Sequence, residues 1–438
     1  MTTPGDLADA IASAGTDLLR SSVPAAATPT PDGSLSLEAS LPLDGRRWVC
    51  VVADDSGRRW TVPVVRDGSS VRRAQAGDGV AEALVERIGA GPLEQPFALA
   101  SFTSRPVRGE RGMGVDQTNE SVVVGDAAVV KWCLHLAARG NTAAPPAARR
   151  LAALATAGFD GMPGLWGLLS LDVRAEAPLL LANVTSYLPG ALDGWDWATA
   201  DARGYARGEI DFDQAVAPAT AIGELIARMH VALAASGRST ATADDARRWA
   251  SAAERDLATA VARIDGPEGD RLAASASQIA AELRELSELH ATPLIDIHGD
   301  LHVGQVLRHS DPPAYAITDF DGNPVSRVDE HDDRQPAALD VAGMAASLDH
   351  VGRVVLRRGD DVDHGRVHTW IGAAEEAFMR SYRQTLGDMG APDLLDERLL
   401  RPLRLWQECR EFLYAAEHLP HWRYVPDQSL ADLLGSAR

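Results

Sequence analysis

The chain has 438 residues, of which 45% are hydrophobic and 24% are charged, so its composition is that of a folded globular protein and excludes collagenous or wholly disordered chains. At roughly 150 residues per domain, this length predicts about three structural units. The 62 acidic residues outnumber the 42 basic ones and give a net charge of −20, which disfavours nucleic acid and anionic membrane surfaces as partners.

The cysteines and the N-terminus predict a cytoplasmic protein. Cys50, Cys133 and Cys409 are widely spaced and form no Cys-x-x-Cys pair, so we expect reduced thiols. The first residues lack the basic and then apolar pattern of a secretion signal. No stretch reaches the ~18 consecutive apolar residues that a membrane span needs.

The first ninety residues predict a small module with an antiparallel sheet. A short amphipathic helix within residues 1–22 is followed by a Pro-, Ala- and Thr-rich stretch that cannot continue it. Three alternating runs then predict strands: Ser34–Ser40, Arg46–Ala53 and Arg58–Arg66. A helix over Gly79–Ile88 and the breakers that follow it place a boundary near residue 91.

The next hundred residues predict a strand-rich lobe. Phe97–Thr103 reads as a strand, and Ser121–Val124 with Ala127–Trp132 reads as a hairpin. The apolar run Leu179–Val184 predicts a buried strand that ends in a Pro-Gly turn, a natural hinge between lobes. We therefore expect an N-terminal cap domain over residues 1–91 and a nucleotide-binding lobe over residues 92–187.

From Ala215 onward the periodicity is helical, which predicts a helix-rich lobe over residues 188–438. The predicted helices are Ala219–Ala235, Asp244–Ile264, Asp270–Leu289, Val341–Arg357, Trp370–Leu386 and Leu399–Leu419. No internal repeat of fixed period is visible.

Lys131 is the only lysine in the chain, so the other 41 basic residues are arginines. Solvated surface cations tolerate exchange of lysine for arginine, but a site that needs one compact ammonium on a phosphate does not. Alternation in the predicted strand puts Lys131 on the face opposite Val130 and Trp132. The alternative is an idle surface lysine.

The strongest motif runs from Ile297 to Leu307 and is followed by a second segment from Ala316 to Gly322. Phosphoryl transfer needs a carboxylate for the attacking hydroxyl's proton and further oxygen ligands for Mg²⁺. Asp300 supplies the first part, and Gln305 and Asp319 supply the second, at spacings that match the kinase catalytic loop and its Asp-Phe-Gly segment. Asp321 either assists Asp319 on the metal or caps the following turn.

A glycine-containing loop precedes the strand of Lys131, where a phosphate-covering loop should lie. It runs from Gly112 to Ser121, and its short polar side chains are candidate ATP contacts: Gln117, Thr118, Asn119 and Ser121. An ordinary flexible loop is the alternative.

These residues resemble the aminoglycoside-phosphotransferase-like kinases, and more closely their actinobacterial maltokinase-like branch. The matching motifs are Asp116-Gln117-Thr118-Asn119, Lys131, the segment from His298 to Gln305, the segment from Leu188 to Trp195, and Leu339-Asp340-Val341-Ala342-Gly343-Met344. The resemblance implies an α+β, bilobal protein-kinase-like fold with an N-terminal cap domain and a helix-rich C-terminal lobe. It also implies that ATP binds at the hinge around Val184 and Tyr187.

Two segments depart from that pattern. No acidic residue occurs between Cys133 and Phe159, where kinases carry the glutamate that pairs with the strand lysine, so Lys131 needs another partner such as Asp319. Near the C-terminus, Gln407, Glu411, Tyr414 and His418 share one face of a predicted helix. A stripe of amide, carboxylate and phenol suits a polyhydroxylated ligand, and the carboxylate suits an ammonium. A solvated helix face is the alternative.

The carboxylate makes this segment similar to the glucosamine kinases of the same branch. We therefore expect an ATP- and Mg²⁺-dependent kinase that converts glucosamine to glucosamine 6-phosphate, with Asp300 as the base. The expected acceptor contacts are Asp300, Gln407, Glu408, Glu411, His302 and Tyr414. Maltose and aminoglycosides are alternative acceptors, and a non-catalytic, pseudokinase-like scaffold is the alternative from another class. The oligomeric state is open, with a monomer as the simpler expectation.

Overall fold

The structure is a computed structural model that describes residues 4–20, 31–68, 70–113, 120–140, 146–322, 334–359 and 361–435. The chain forms two compact units. The first comprises Met1–Ala155 and Pro163–Pro189, and the second comprises Thr156–Met162 and Gly190–Arg438. The division of the first unit near residue 91 stays a prediction.

The first unit contains two antiparallel sheets and most of the strands. One sheet has the order β1-β2-β3-β4, formed by Ser36–Pro42, Arg47–Ala53, Arg59–Asp67 and Ser70–Arg73. The other contains six strands, β5 (Phe97–Ser101), β6 (Glu110–Gly112), β7 (Glu120–Val124), β8 (Ala128–Trp132), β10 (Leu165–Leu171) and β11 (Leu179–Ser186). Their spatial order is β5-β10-β11-β8-β7-β6, and the short β9 (His135–Leu136) pairs with β3. The alternating apolar runs thus form strands close to the predicted bounds.

The two sheets of the first unit share one hydrophobic core. Helix α2 (Val80–Ile88) contributes Leu84, which is packed in the same cluster as Val49 of β2 and Val130 of β8. The other face of the four-stranded sheet is covered by α1 (Pro4–Ala14). Helix α3 (Pro146–Thr156) reaches the boundary of the unit and carries no acidic residue.

Helices dominate the second unit. They are α4 (Gly194–Arg207), α5 (Phe212–Ala235), α6 (Ala243–Arg263), α7 (Gly266–Arg284), α8 (Ala338–Arg358), α9 (His364–Asp388), α10 (Leu400–Glu417) and α11 (Tyr424–Leu433). Two small two-stranded sheets accompany them, β12 (Ser239–Thr240) with β13 (Pro293–Leu294) and β14 (Val306–His309) with β15 (Ala314–Ile317). The α+β class is confirmed, with the larger sheets in the N-terminal part.

Helix α4 is the main element that the sequence patterns did not predict. Its N-cap is Asp193, whose carboxylate accepts the Trp195 N–H at 2.8 Å. An aspartate directly before Gly-Trp-Asp-Trp is an N-cap signal, so this residue could have predicted where the helix begins.

Helix α5 is, among the described residues, the one helix long and apolar enough to cross a membrane by length and composition. Just over half (56%) of its most apolar window is buried inside the structure, and the helix packs along α9. Burial of this kind is typical of a core helix, whose apolar stripe is covered by protein.

Candidate functional site

The segment from Ile297 to Gln305 forms an irregular loop between β13 and β14. Gly299 adopts a positive φ of 83°, a conformation that favours glycine and turns the chain so that Asp300 follows directly. The loop ends in a 3₁₀ turn over Val303–Gln305, and the His302 ring caps it by accepting the Gly304 N–H at 3.1 Å. The sequence motif is therefore one compact structural unit.

Asp340, in the first turn of α8, fixes this loop through hydrogen bonds to the loop backbone. Its carboxylate accepts the backbone N–H groups of His298 at 2.7 Å and Gly299 at 2.8 Å. It also contacts His230 Nε2 at 3.1 Å, and the other ring nitrogen of His230 lies 2.7 Å from the Tyr382 hydroxyl. Burial raises the pKa of Asp340, but the hydrogen bonds and charges of His230 and His298 outweigh it and hold that pKa below its usual value.

His298 joins the loop of Asp300 to the segment of Asp319. Its Nδ1 accepts the Asp300 N–H at 3.3 Å, and its Nε2–H donates to the Thr318 carbonyl at 2.8 Å. These two bonds together select one neutral tautomer of the ring. His298 therefore holds the loop of Asp300 and the segment of Asp319 together.

A backbone hydrogen bond between Gln305 and Thr318 connects the segments that carry Gln305 and Asp319. The Gln305 carbonyl accepts the Thr318 N–H at 2.9 Å, so Asp319 lies directly beyond that bond at the end of β15. Asp319 has a φ of 63°, a strained left-handed conformation for a residue with a side chain. Such strain persists where the surroundings impose it, and it is common at functional sites.

The oxygen ligands available near Asp319 suit Mg²⁺ better than a metal ion that takes all its ligands from protein side chains. In the part of the chain that the structure describes, no group of three or more His, Cys, Asp or Glu side chains is placed to hold a metal ion. Mg²⁺ at a nucleotide site needs only one or two carboxylates, because phosphates and water complete its shell. The carboxylate of Asp319 and the amide oxygen of Gln305 fit that requirement, with half-buried Asp321 two residues on.

A pocket of about 470 Å³ opens beside Asp300 within the second unit. Five of the six predicted acceptor contacts line it: Asp300, His302, Gln407, Glu411 and Tyr414. The Gln407 amide donates to Glu411 Oε1 at 3.0 Å, which fixes one oxygen of that carboxylate. Burial, followed by the charges of Glu411 and Asp300, raises the pKa of Tyr414, so both carboxylates act on its hydroxyl. Three of the four residues of the predicted helical stripe, Gln407, Glu411 and Tyr414, therefore line the pocket, whereas the exposed His418 does not.

Glu408 is the exception and corrects the predicted acceptor set. Its side chain is fully buried in α10 and does not line the pocket. His350 Nε2 lies 3.0 Å from Glu408 Oε2, and the Ser429 hydroxyl donates to Oε1 at 2.9 Å. Helix periodicity explains the difference, since residue 408 points about 100° away from residue 407 on the same helix.

Two tryptophans and two arginines also line the pocket, and sequence patterns did not assign Trp195, Arg358 or Arg410 to it. The rings of Trp195 and Trp422 meet edge to face with centroids 5.7 Å apart, and Trp195 also lies 6.5 Å from the His302 ring. Trp422 is one of the aromatic residues that line the pocket. Aromatic faces suit the apolar C–H surface of a sugar.

Two glycines in the family motifs allow helices to touch the catalytic loop. A Cβ on Gly194 of α4 would lie 1.7 Å from the Val303 carbonyl oxygen, and one on Gly343 of α8 would lie 2.7 Å from that of Leu301. Both distances are below any normal contact, so these positions require glycine. This explains why the motifs around Trp195 and Asp340 accompany the loop of Asp300.

The first unit carries the predicted nucleotide residues. Ser121 of β7, Lys131 of β8 and Asn183 of β11 lie directly opposite one another across three neighbouring strands and so share one face of the sheet. Val130 and Trp132 are buried on the other face, as the alternation predicted. Asn183 was not identified from the sequence, because the apolar run around it predicted only a buried strand.

Val184 and Tyr187 differ in how they fit a nucleotide contact. The Val184 side chain is buried in the core on the face opposite Lys131, so we remove it from the set of side chains that could touch ATP. Tyr187 follows the end of β11, where its N–H donates to the Ala127 carbonyl at 2.9 Å and the Arg111 guanidinium lies 5.0 Å from its ring. Gln117, Thr118 and Asn119 lie outside the described residues.

The chain is similar to known enzymes over most of its length. It is 56% identical over 407 residues to a glucosamine kinase of Streptacidiphilus jiangxiensis, with 92% of each chain covered. It is 42% identical over 401 residues to a glucosamine kinase of Mycolicibacterium smegmatis, with 89% of this chain and 96% of the relative covered. A scan against protein-family models found no match.

Solved structures give the same result. A crystal form of a glucosamine kinase superposes with a TM-score of 0.90 at 52% identity, covering 98% of this chain and 99% of that one. A glucosamine kinase in complex with glucosamine, ADP and inorganic phosphate superposes with a TM-score of 0.88 at 52% identity, covering 99% and 100%.

Proposed function

Since the chain belongs to the glucosamine kinase family, we propose that it transfers the γ-phosphoryl group of ATP to the 6-hydroxyl of glucosamine and releases glucosamine 6-phosphate and ADP. The observation that carries this proposal is the pocket beside Asp300, which joins a catalytic carboxylate to a second carboxylate, Glu411, on α10. A protonated amine has a reason to bind there, since a carboxylate forms charge-assisted hydrogen bonds with an ammonium.

Asp300 is proposed as the general base. It accepts the proton of the acceptor hydroxyl while the hydroxyl oxygen attacks the γ-phosphorus and the bond to the bridging oxygen of ADP breaks. The hydrogen bonds of His298 and Asp340 to the loop backbone support this role, because they hold the residue that must meet the hydroxyl. His302 and Tyr414 line the pocket around the acceptor.

Basic, hydroxyl and oxygen-ligand side chains are the proposed contacts of ATP and Mg²⁺. Lys131 balances the negative charge of the ATP phosphates, with Ser121 as a hydroxyl donor on the same face. Gln305 and Asp319 would hold Mg²⁺, with Asp321 in support, and the bound ion neutralises charge on the phosphate oxygens. Tyr187 is the proposed contact near the adenine ring of ATP. Gln117, Thr118 and Asn119 stay candidates for contacts with the phosphates.

The enzyme is further proposed to work in the cytoplasm, to act without nucleic acid or membrane, and to function as a monomer. The three cysteines support a reducing compartment, since all are free thiols and Cys50 and Cys409 are buried. The excess of acidic residues supports a protein that avoids polyanions.

An acceptor panel tests the proposal directly. ADP release would be measured with Mg²⁺-ATP and glucosamine, N-acetylglucosamine, glucose, maltose or an aminoglycoside, and the product would be identified by ³¹P NMR. We expect turnover with glucosamine and formation of a 6-phosphate, with much lower kcat/KM for the other acceptors. Preference for maltose or an aminoglycoside would replace the assigned acceptor, and no turnover with any of them would favour a scaffold.

A further inference from the structure

His350 sits in the pocket wall without a role in the mechanism above. It belongs to α8, is 3% exposed and lines the same pocket as Glu411 and Asp300. Its Nε2 lies within 3.0 and 3.2 Å of the two oxygens of Glu408, and the Ser429 hydroxyl adds a third contact to that carboxylate. A buried histidine is thus fixed by a buried glutamate directly behind the pocket.

The surroundings of His350 favour its charged form. Burial lowers its pKa, but the charge and hydrogen bond of Glu408, followed by the charges of Glu411 and Asp349, outweigh burial and raise it to about 9. Asp349 is already paired with Arg353 on the same helix. His350 is therefore the cation that balances Glu408.

The other charged groups near His350 come from α8, α9, α10 and α11. Arg404 of α10 acts on Asp349 and pairs with Glu375, and Asp432 of α11 pairs with Arg353. Arg358 and Arg410 also line the pocket. None of these groups replaces Glu408 as the partner of His350 Nε2.

The second ring nitrogen of His350, Nδ1, determines which ligand atoms the ring can bind. Nε2 is occupied by Glu408, and no hydrogen bond to Nδ1 occurs among the described residues, so the imidazolium has one N–H left to donate. A sugar hydroxyl or ring oxygen can accept that bond, whereas an ammonium cannot accept and is repelled by the charge. Glu411 and Asp300, which line the same pocket, attract an ammonium.

We propose that His350 is a further substrate-binding residue that donates Nδ1–H to a hydroxyl or ring oxygen of the amino sugar. This inference rests on the proposed glucosamine kinase activity. Glu408 is a positioning residue in this arrangement, since it acts on the sugar through His350.

The variant Glu408→Gln tests the proposal, because it keeps the shape and the contact with Ser429 but removes the charge that keeps His350 protonated. At pH 8 we expect KM for glucosamine to rise about tenfold or more, the loss expected for a charged hydrogen bond. Between pH 8 and pH 6 the excess of the variant's KM over that of the wild type should shrink, because the lower pH favours protonation of the ring. We expect kcat to change little, since Asp300 and its loop are untouched.

The wild type measured at both pH values corrects for titration of the substrate amine. His350→Gln should raise KM at both pH values without rescue, and the same substitution at exposed His364 on α9 is the matched control. Parallel pH profiles of KM for Glu408→Gln and the wild type would overturn the proposal. A wild type inactive on glucosamine would instead overturn the proposed function, so the two failures are distinguishable.

Discussion

Asp300 combines two properties that a catalytic carboxylate needs. It lines the acceptor pocket, and its backbone is fixed by His298, which in turn is bonded to Asp340 and to the Thr318 carbonyl. A base held in this way meets a substrate hydroxyl without first ordering its own loop.

The variant Asp300→Asn should therefore lose most of its activity. Because an amide cannot take the hydroxyl proton, we expect kcat to fall by about 10²–10⁴-fold. Binding of ATP, followed by calorimetry or fluorescence titration, should stay close to the wild type. A kcat within about threefold of the wild type would contradict the role of Asp300 as base.

Residue-level prediction succeeded where spacing along one element carries the information. The stripe of Gln407, Glu411 and Tyr414 follows from helical periodicity, and all three residues do line one pocket. His350 escaped prediction because its partner Glu408 is 58 residues away and no local pattern links them. Trp195 escaped because helix α4 was not predicted.

At the scale of elements, α8 organises the catalytic loop. Asp340 accepts two backbone N–H groups of the loop, Gly343 lets the helix touch the Leu301 carbonyl, and Ser347 Oγ accepts the Val303 N–H at 2.9 Å. These three residues lie one turn apart along the helix, so one face of α8 supports the loop from end to end.

Replacing Asp340 with asparagine should disturb this support for the loop of Asp300. Because the amide offers only one acceptor oxygen to donors that used two, we expect kcat to fall by about 10²-fold, as misplacement of a catalytic group predicts. KM for ATP should change little. Steady-state kinetics would be compared with Asp388→Asn, an exposed position on α9. Equal kcat values for the two variants would contradict the positioning role.

At the scale of the whole chain, buried ion pairs tie distant segments of the first unit together. Arg73 of β4 bonds Glu120 of β7 through Nη2 at 2.5 Å and Nε at 3.1 Å, and its Nη1 donates to the Leu18 carbonyl. Both side chains are less than a tenth exposed. The strand of Arg73 belongs to the first sheet and that of Glu120 to the second.

The variant Arg73→Met should destabilise the protein by about 3–5 kcal/mol, because it leaves the Glu120 carboxylate buried without its partner. The neighbouring variant Arg72→Met is the matched control, since Arg72 pairs with Asp78 at a more exposed position and should cost about 0–1 kcal/mol. Denaturant unfolding would measure both. Equal losses for the two variants would contradict a structural role for the buried pair.

The large-scale organisation could be predicted from the sequence only in part. Alternation and periodicity predicted seven of the eleven described strands of the first unit and six of the eight described helices of the second, because each pattern lies within one element. Strands β4, β6, β9 and β10 were not predicted. The shared core of the two sheets was not predicted, since it depends on which apolar faces meet, as Val49 and Val130 do around α2. Local patterns do not carry that information.

The most direct test of amino-sugar recognition by the pocket of Glu411 is the substrate selectivity of the Glu411→Gln variant. The measurement is kcat/KM for glucosamine divided by kcat/KM for glucose, in the wild type and in the variant at one pH. Loss of a charge-assisted hydrogen bond, worth about 1.5–3 kcal/mol, should lower this ratio by at least about tenfold while glucose turnover changes little. An unchanged ratio would contradict recognition of the amine by Glu411.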